Sequence, residues 1–72
     1  MKKVKDGDTI IIDGVEYRIG ESSALAINTW LEFSEKNPKL DDINIHLYEK
    51  NYRDGSLIAA SKIKAALEKN NE

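Results

Sequence analysis

The chain contains no cysteine and a single histidine among its 72 residues. Without thiols, neither a disulfide nor a thiolate metal site can form, and the absence fits a reducing compartment. His46 alone cannot build an imidazole metal cluster. The sequence therefore predicts no metal and no cofactor. Association is the remaining device that stabilises so small a domain, which makes a homodimer one expectation.

Long apolar runs are also lacking. The lysine-rich start of the chain is not followed by the roughly 7–15 apolar residues of a signal peptide, and nothing approaches the ~18 of a membrane span. We therefore expect one cytoplasmic domain over residues 1–72. Ile, Lys and Asn make up 24 of the 72 residues. AT-rich codons favour these three, so the composition hints at a phage or mobile-element source.

The net charge of −2 conceals an uneven distribution. Residues 1–5 carry three lysines, whereas residues 6–42 carry nine acids against three bases and have a net charge of −6. Residues 43–72 return to +1, with four acids and five bases. An acidic block of this kind either keeps the protein soluble or attracts a basic partner.

Asp13-Gly14 between two β-rich runs is the strongest local structural signal. A type I′ turn needs positive φ at both of its central residues, and Asp-Gly supplies it. The turn predicts a hairpin in which Ile12 faces Val15, Ile10 faces Tyr17 and Thr9 faces Arg18. Because side chains alternate across a strand, the predicted core face differs from the solvent face. The core face would hold Ile10, Ile12, Val15, Tyr17 and Ile19, and the other face Thr9, Ile11, Glu16 and Arg18.

Two helices are predicted after the hairpin. Ser22 and Ser23 are good N-caps for a helix over 23–36, which Pro38 prevents from continuing. A second helix is predicted over about 57–69, with Ser56 as its N-cap after the break at Asp54-Gly55. The apolar half of the first helix comprises Ala24, Ala26, Ile27, Trp30, Leu31 and Phe33, with Leu25 outside it, and the stripe of the second comprises Ala59, Ala60, Ile63, Ala66 and Leu67.

The segment 41–52 fits two structures. Ile43, Ile45 and Leu47 alternate with polar residues, which favours a strand. Leu40, Ile43 and Leu47 also fit helical spacing, so a helix remains the alternative. With a strand here, the predicted fold is α+β with the order ββαβα, in which two helices pack on one face of a three-stranded sheet.

The string Asp6-Gly7-Asp8-Thr9, followed by Gly14 and Arg18, resembles the first hairpin of the staphylococcal nuclease family. The resemblance implies calcium binding by Asp8 and phosphate contact by Arg18. It covers residues 6–19 and then stops, because Gly20-Glu21-Ser22-Ser23 replaces the family's acidic residue and Pro-Glu pair. The family's remaining ligands are missing, and 72 residues are too few for its barrel and helices.

Other catalytic groupings are equally incomplete. Histidine is a common general base, but no nucleophile stands at a telling spacing from His46. Asp41-Asp42 could act as an acid–base pair if burial separated their pKa values, although adjacent acids before a strand are usually solvated. The sequence therefore favours a protein that is not an enzyme.

A protein-binding regulator or inhibitor is the leading functional hypothesis. It would dock the acidic surface around the hairpin on a basic surface of another protein, and a nucleic-acid-binding protein offers such a surface. Ile11, Leu25, Tyr48 and Tyr52 fall outside the predicted core faces, and tyrosine is enriched at interfaces. The candidate partner-binding residues are Asp6, Asp8, Asp13, Glu16, Glu21, Tyr48 and Tyr52.

Nucleic-acid binding is the alternative hypothesis. A basic arm at the N-terminus and two lysines on one side of the last helix could neutralise phosphates. If residues 40–52 were helical, Asp54-Gly55 could join a helix-turn-helix. The net acidic charge argues against this reading. The residues that would carry it are Lys2, Lys3, Lys5, Lys62 and Lys69.

Overall fold

A computed structural model describes residues 3–51 and 54–70 and shows an α+β fold with the order ββαββα. The elements are β1 (Thr9–Ile12), β2 (Val15–Arg18), α1 (Glu21–Lys36), β3 (Asn44–Glu49), β4 (Gly55–Ala59) and α2 (Ala60–Asn70). The four strands form one antiparallel sheet in the spatial order β1-β2-β3-β4, so β1 and β4 are its edges.

The predicted hairpin and its register are confirmed. Asp13 has a φ of 51° and Gly14 a φ of 83°, as a two-residue type I′ turn requires. Ile12 faces Val15, and the pairing continues without a slip to Thr9 opposite Arg18. The turn therefore fixes which side chains of both strands share a face.

The core lies between one face of the sheet and both helices. Ile10, Tyr17 and Leu47 point to this face, and Leu47 is completely buried. Val15 shares the face but is 39% exposed beside the turn. The buried apolar residues are Val4, Ile10, Ile12, Tyr17, Ile19, Ala24, Ile27, Leu31, Ile45, Leu47, Ala60 and Ile63. The opposite face of the sheet faces solvent.

Helix α1 begins earlier than predicted and buries a different stripe. Gly20 takes the N-cap position, so the prediction of Ser22 or Ser23 as cap is wrong. Ser23 is instead buried inside the helix, where its hydroxyl donates a hydrogen bond to the carbonyl of His46. Ser34 is buried too and donates to the Leu31 carbonyl at 2.9 Å. Both buried hydroxyl groups therefore have hydrogen-bond partners, and the two serines complete the buried stripe of α1 around Ile27.

Phe33 was predicted to lie in the apolar half of α1, and this prediction is wrong. With Ile27 and Leu31 at the centre of the buried stripe, a rotation of 100° per residue places Phe33 well to one side. Its side chain is 58% exposed. The helix therefore presents a large aromatic side chain to solvent.

The ambiguous middle segment is a strand, and a fourth strand follows it. β3 pairs with β4 from Asn44 opposite Ala59 to Tyr48 opposite Gly55. The predicted three-stranded sheet, the helix start at residue 57 and the Ser56 cap are therefore wrong. Leu57, Ile58 and Ala59 fit both periods, and pairing with β3 decides in favour of the strand. The strand at 44–49 also removes the helix-turn-helix.

Gly55→Ala tests the fourth strand. A Cβ at this position would lie 2.0 Å from Nε2 of His46 and 2.8 Å from the backbone oxygen of Leu47. The histidine can rotate away, but the backbone oxygen cannot, so we expect a loss of about 1–3 kcal/mol in the free energy of unfolding. Urea denaturation measures it.

When Gly55→Ala is combined with His46→Ala, most of the loss in stability should remain, because the Leu47 carbonyl still blocks the new methyl group at position 55. A Gly55→Ala variant as stable as the original protein would contradict the pairing of β3 with β4.

Candidate functional site

An apolar groove runs along the solvent side of α1. Leu25 is 70% exposed and Phe33 is 58% exposed. They are eight residues apart, which places them about two turns from each other along the same side of α1. Exposed apolar residues that gather in one place mark interaction sites more often than scattered ones do. The groove has a volume of about 380 Å³ and is lined by Ser22, Leu25, Ala26, Thr29, Trp30, Phe33, Leu40 and Ile43.

The far wall of the groove comes from the segment between α1 and β3. Trp30 is half-buried, and its indole N–H donates to the Asp41 carbonyl at 3.1 Å. This bond holds the connecting segment against the helix, so that Leu40 and Ile43 lie beside the α1 residues. The groove therefore depends on contacts between two separate parts of the chain.

The part of the chain that forms this groove is acidic overall. Residues 20–43 contain five acids and two lysines, a net charge of −3. Glu21 begins α1, Glu32 lies close to the line of Leu25 along the helix, and Asp41 carries the carbonyl bonded to Trp30. Lys36 pairs with Glu32 at 3.9 Å and partly offsets its charge, so Glu21 and Asp41 are the acids of this segment left to attract a partner. The groove is thus lined mainly by apolar side chains, and the segment that forms it carries a net negative charge.

Three of the predicted partner-binding acids lie near one another at the start of α1, namely Asp6, Asp8 and Glu21. The Gly7 N–H donates to the Ile19 carbonyl, and the Ile19 N–H donates to the Asp8 carbonyl, both at 2.8 Å. These bonds hold the Asp6–Asp8 loop beside the chain that leads into Glu21. Asp8 also accepts a hydrogen bond from the Lys5 N–H at 2.8 Å, so it shapes the loop.

Two other predicted acids lie toward the turn of the hairpin and have lysine partners. The carboxylate of Asp13 lies 3.3 Å from Nζ of Lys62, and that of Glu16 lies 3.2 Å from Nζ of Lys50. Exposed pairs of this kind add little stability, but they neutralise the charges that would draw a partner. The predicted acidic set is therefore split between two regions of the surface.

The Tyr48 side chain lies between the hairpin and the groove on α1. The guanidinium carbon of Arg18 lies 4.8 Å from its ring centroid, and the His46 ring meets it edge-on at 4.8 Å. Tyr52, also predicted to bind a partner, lies outside the described residues. Next to Tyr48 is a second depression, which shares Ser22 and Leu25 with the groove and is lined by Gly20, Glu21, Ser22, Leu25 and Tyr48.

The candidate catalytic residues have other contacts. Asp8 lies in its loop and Arg18 against Tyr48, and in the described part of the chain no hydrogen bond or ion pair joins the two. His46 is exposed and packs across Gly55. Among residues 3–51 and 54–70, no group of three or more potential ligands could hold a metal ion.

Asp42 stabilises the start of α2 from a distance. Its carboxylate accepts a hydrogen bond from the Ser61 N–H at 3.0 Å and another from the Ser61 hydroxyl. The bond from the Ser61 side chain is the largest cause that lowers the pKa of Asp42 below its usual 3.8, and backbone N–H donors, including that of Ile43, lower it further. Asp42 therefore performs the capping role that was predicted for Ser56.

The lysines proposed for nucleic-acid contact are divided. Lys62 and Lys69 line one depression together with Ile11, Ile12 and Asp13, and Lys62 is already paired with Asp13. Lys3 and Lys5 are exposed near the N-terminus, and Lys2 lies outside the described residues.

Comparison with known proteins gives no relative. No family model, no curated protein and no solved structure matches the chain. Within residues 3–51 and 54–70, none of the helices combines the length and the apolar character needed to cross a membrane.

Sequence reasoning identified part of the groove and missed the rest. Leu25 stood out because it fell outside the apolar half of α1. Phe33 and Trp30 were assigned to the core, and Leu40 and Ile43 are brought to α1 by tertiary contacts. A helix with apolar residues on two sides was the available signal.

Asp42→Ala should lower the free energy of unfolding by about 1 kcal/mol, because α2 loses a cap. Asp41→Ala is the matched control, since Asp41 contributes a backbone carbonyl that survives the substitution. Chemical denaturation of both variants near pH 7 measures the difference.

The effect should depend on pH with a definite sign. The folded-state pKa of Asp42 is lower than its usual value, so its stabilisation is complete above about pH 4 and is lost as the pH falls through the folded-state pKa. The difference between the original protein and Asp42→Ala should therefore shrink in acid. A difference that stayed constant down to low pH would contradict the role of the carboxylate.

Proposed function

We propose that this protein is a non-enzymatic binding module that regulates or inhibits another protein. The observation that carries the proposal is the groove on α1, where the large apolar side chains of Leu25 and Phe33 are mostly exposed to solvent. A small domain gains stability by burying such residues, so their exposure calls for a partner.

The proposed partner presents a segment that is both basic and apolar. Its apolar side chains would fill the space between Leu25, Phe33 and Ile43. Its lysines or arginines would face Glu21 and Asp41. Opposite charges favour encounter and correct orientation. A second copy of this chain is a poor occupant of the groove, because it would bring two segments of net negative charge together.

The hairpin takes part through the side nearest the groove. Asp6, Asp8 and Glu21 extend the negative surface, and Tyr48 offers an aromatic contact beside Leu25. Asp13 and Glu16 keep a smaller part in the proposal, because lysines already neutralise them. The proposed interface is thus centred on α1.

The proposed setting follows from composition. A chain without cysteine suits the cytoplasm, and one rich in Ile, Lys and Asn suits a phage or mobile element. A partner with a basic surface, such as a nucleic-acid-binding protein, would then be the target of inhibition. Direct nucleic-acid binding through Lys2, Lys3, Lys5, Lys62 and Lys69 stays the alternative proposal.

Phe33→Lys tests the groove against a closely matched control. Phe33 and Ile11 are 58% and 59% exposed, but Ile11 lies on the open face of the sheet. Each variant, and the original protein, is immobilised and used to capture proteins from host lysate. We expect Phe33→Lys to weaken capture of the main partner at least about tenfold, because a buried aromatic contact is lost. Ile11→Lys should change capture little.

Three results would count against the proposal. Phe33→Lys could retain the partner, Ile11→Lys could lose it, or the original protein could shift plain duplex DNA in a gel with strong salt dependence. The last result would favour the nucleic-acid alternative. Circular dichroism of both variants checks that each one is folded.

A further inference from the structure

The hydrogen-bond pattern shows which backbone groups of β4 face away from the sheet. The Glu49 N–H donates to the Asp54 carbonyl at 3.2 Å, and the Ala60 N–H donates to the Ile43 carbonyl at 2.7 Å. Both bonds continue the register in which Ile45 faces Ile58. Hydrogen-bonded pairs alternate along an antiparallel ladder, so the even-numbered residues of β4 point their backbone groups toward β3.

The odd-numbered residues of β4 therefore point their backbone groups outward. These are Gly55, Leu57 and Ala59, and β4 is an edge strand. Within the described part of the chain, nothing donates to or accepts from the outward N–H and C=O of Leu57. The Ala59 carbonyl lies at the N-cap position of α2, where it accepts the first bond of the helix. An outward array of two carbonyls and three N–H groups remains.

β4 lacks the residues that commonly protect an edge strand. Its sequence, Gly-Ser-Leu-Ile-Ala, contains no charge and no proline. Proteins commonly place such residues at edges to prevent pairing with another chain. Leu57 is 67% exposed on the open face and Ile58 is half-buried on the helix face, so an added strand would cover apolar surface on both sides.

The other edge of the sheet is different. β1 is bounded by Asp8 and Asp13, and α2 packs against it near Ile11 and Ile12. Pairing of β4 with β1 of another molecule would also leave two further edges and build an open chain. Pairing of β4 with itself closes the assembly.

We propose that two copies of this protein associate through antiparallel pairing of their β4 strands, with Leu57 on the two-fold axis. Leu57 of each copy exchanges both backbone hydrogen bonds with Leu57 of the other. The Ala59 N–H of each copy then donates to the Gly55 carbonyl of the other. The two sheets become one continuous eight-stranded sheet.

The side chains of β4 fit this symmetric arrangement. Cross-strand neighbours on one face lie about 4.5–5.5 Å apart, so the two Leu57 side chains meet on the open face. Gly55 and Ala59, which face one another across the pair, are small and leave room for them. Because β4 carries no charge, the pairing brings no like charges together. The groove on α1 is separate from this edge and stays open to a partner.

Leu57→Lys tests the pairing, and Leu25→Lys is the control. The two leucines are 67% and 70% exposed, but Leu25 lies on α1. A lysine on an edge strand opposes strand addition. In sedimentation equilibrium of the full chain, we expect a dimer for the original protein and for Leu25→Lys. The dissociation constant of the dimer should rise at least about tenfold in Leu57→Lys.

Amide hydrogen exchange of the original protein gives a second readout. The Leu57 and Ala59 N–H groups face outward, so dimerisation alone should slow their exchange, and the slowing should increase with protein concentration. The Ile58 N–H faces β3 and should be protected at every concentration. Either of two results would overturn the proposal: a protein that is monomeric at millimolar concentration, or a dimer whose Leu57 N–H exchanges at the rate of an exposed amide.

Discussion

The turn at Asp13-Gly14 is the constraint on which the rest of the structure depends. Its positive φ angles set Ile12 opposite Val15 and so decide which face each side chain of the hairpin occupies. A slip of one residue would exchange buried Ile10 for exposed Ile11. β3 continues the same alternation through the pairing of Tyr17 with Glu49. Both helices must then lie on the one apolar face, the other face is exposed, and β4 is an edge strand.

The position of α1 follows from this one-sided packing. The helix lays Ile27 and Leu31 on the core, and Ser23 and Ser34 fill the rest of its buried stripe with satisfied hydroxyl groups. Leu25 and Phe33 are left on the solvent side. Acidic residues in the same segment keep the protein soluble despite these exposed apolar side chains. They also give the segment a net negative charge, which would attract a positively charged partner. The proposed protein-binding role of the groove would account for these features together.

The features that sequence reasoning predicted well are those set by local chemistry. An Asp-Gly turn determines a register by itself, and the alternation of Ile45 and Leu47 with polar residues identified β3. The start of α2 could not be found in this way, because its cap, Asp42, is 19 residues from Ser61 in the chain. Leu57, Ile58 and Ala59 suit a strand or a helix until β3 is beside them.

The candidate site was harder to predict, because it combines distant parts of the chain. Leu25 was recognisable as an apolar residue outside the core stripe of α1. Ile43 lines the groove because Trp30 donates a hydrogen bond to the Asp41 carbonyl, and no local sequence pattern predicts that bond. The acidic block was visible in the sequence, but the lysine partners of Asp13 and Glu16 appear only in the folded chain.

Photo-crosslinking from the groove tests the central claim most directly. A benzophenone amino acid replaces Thr29, which lines the groove, or Thr9, which lies exposed on the open face of the sheet. Each protein is irradiated in host lysate, and the crosslinked peptides are sequenced by mass spectrometry. The account predicts crosslinks from position 29 to a peptide that combines lysine or arginine with apolar residues. Crosslinks to a partner from position 9 alone, or from position 29 to an acidic peptide, would contradict it.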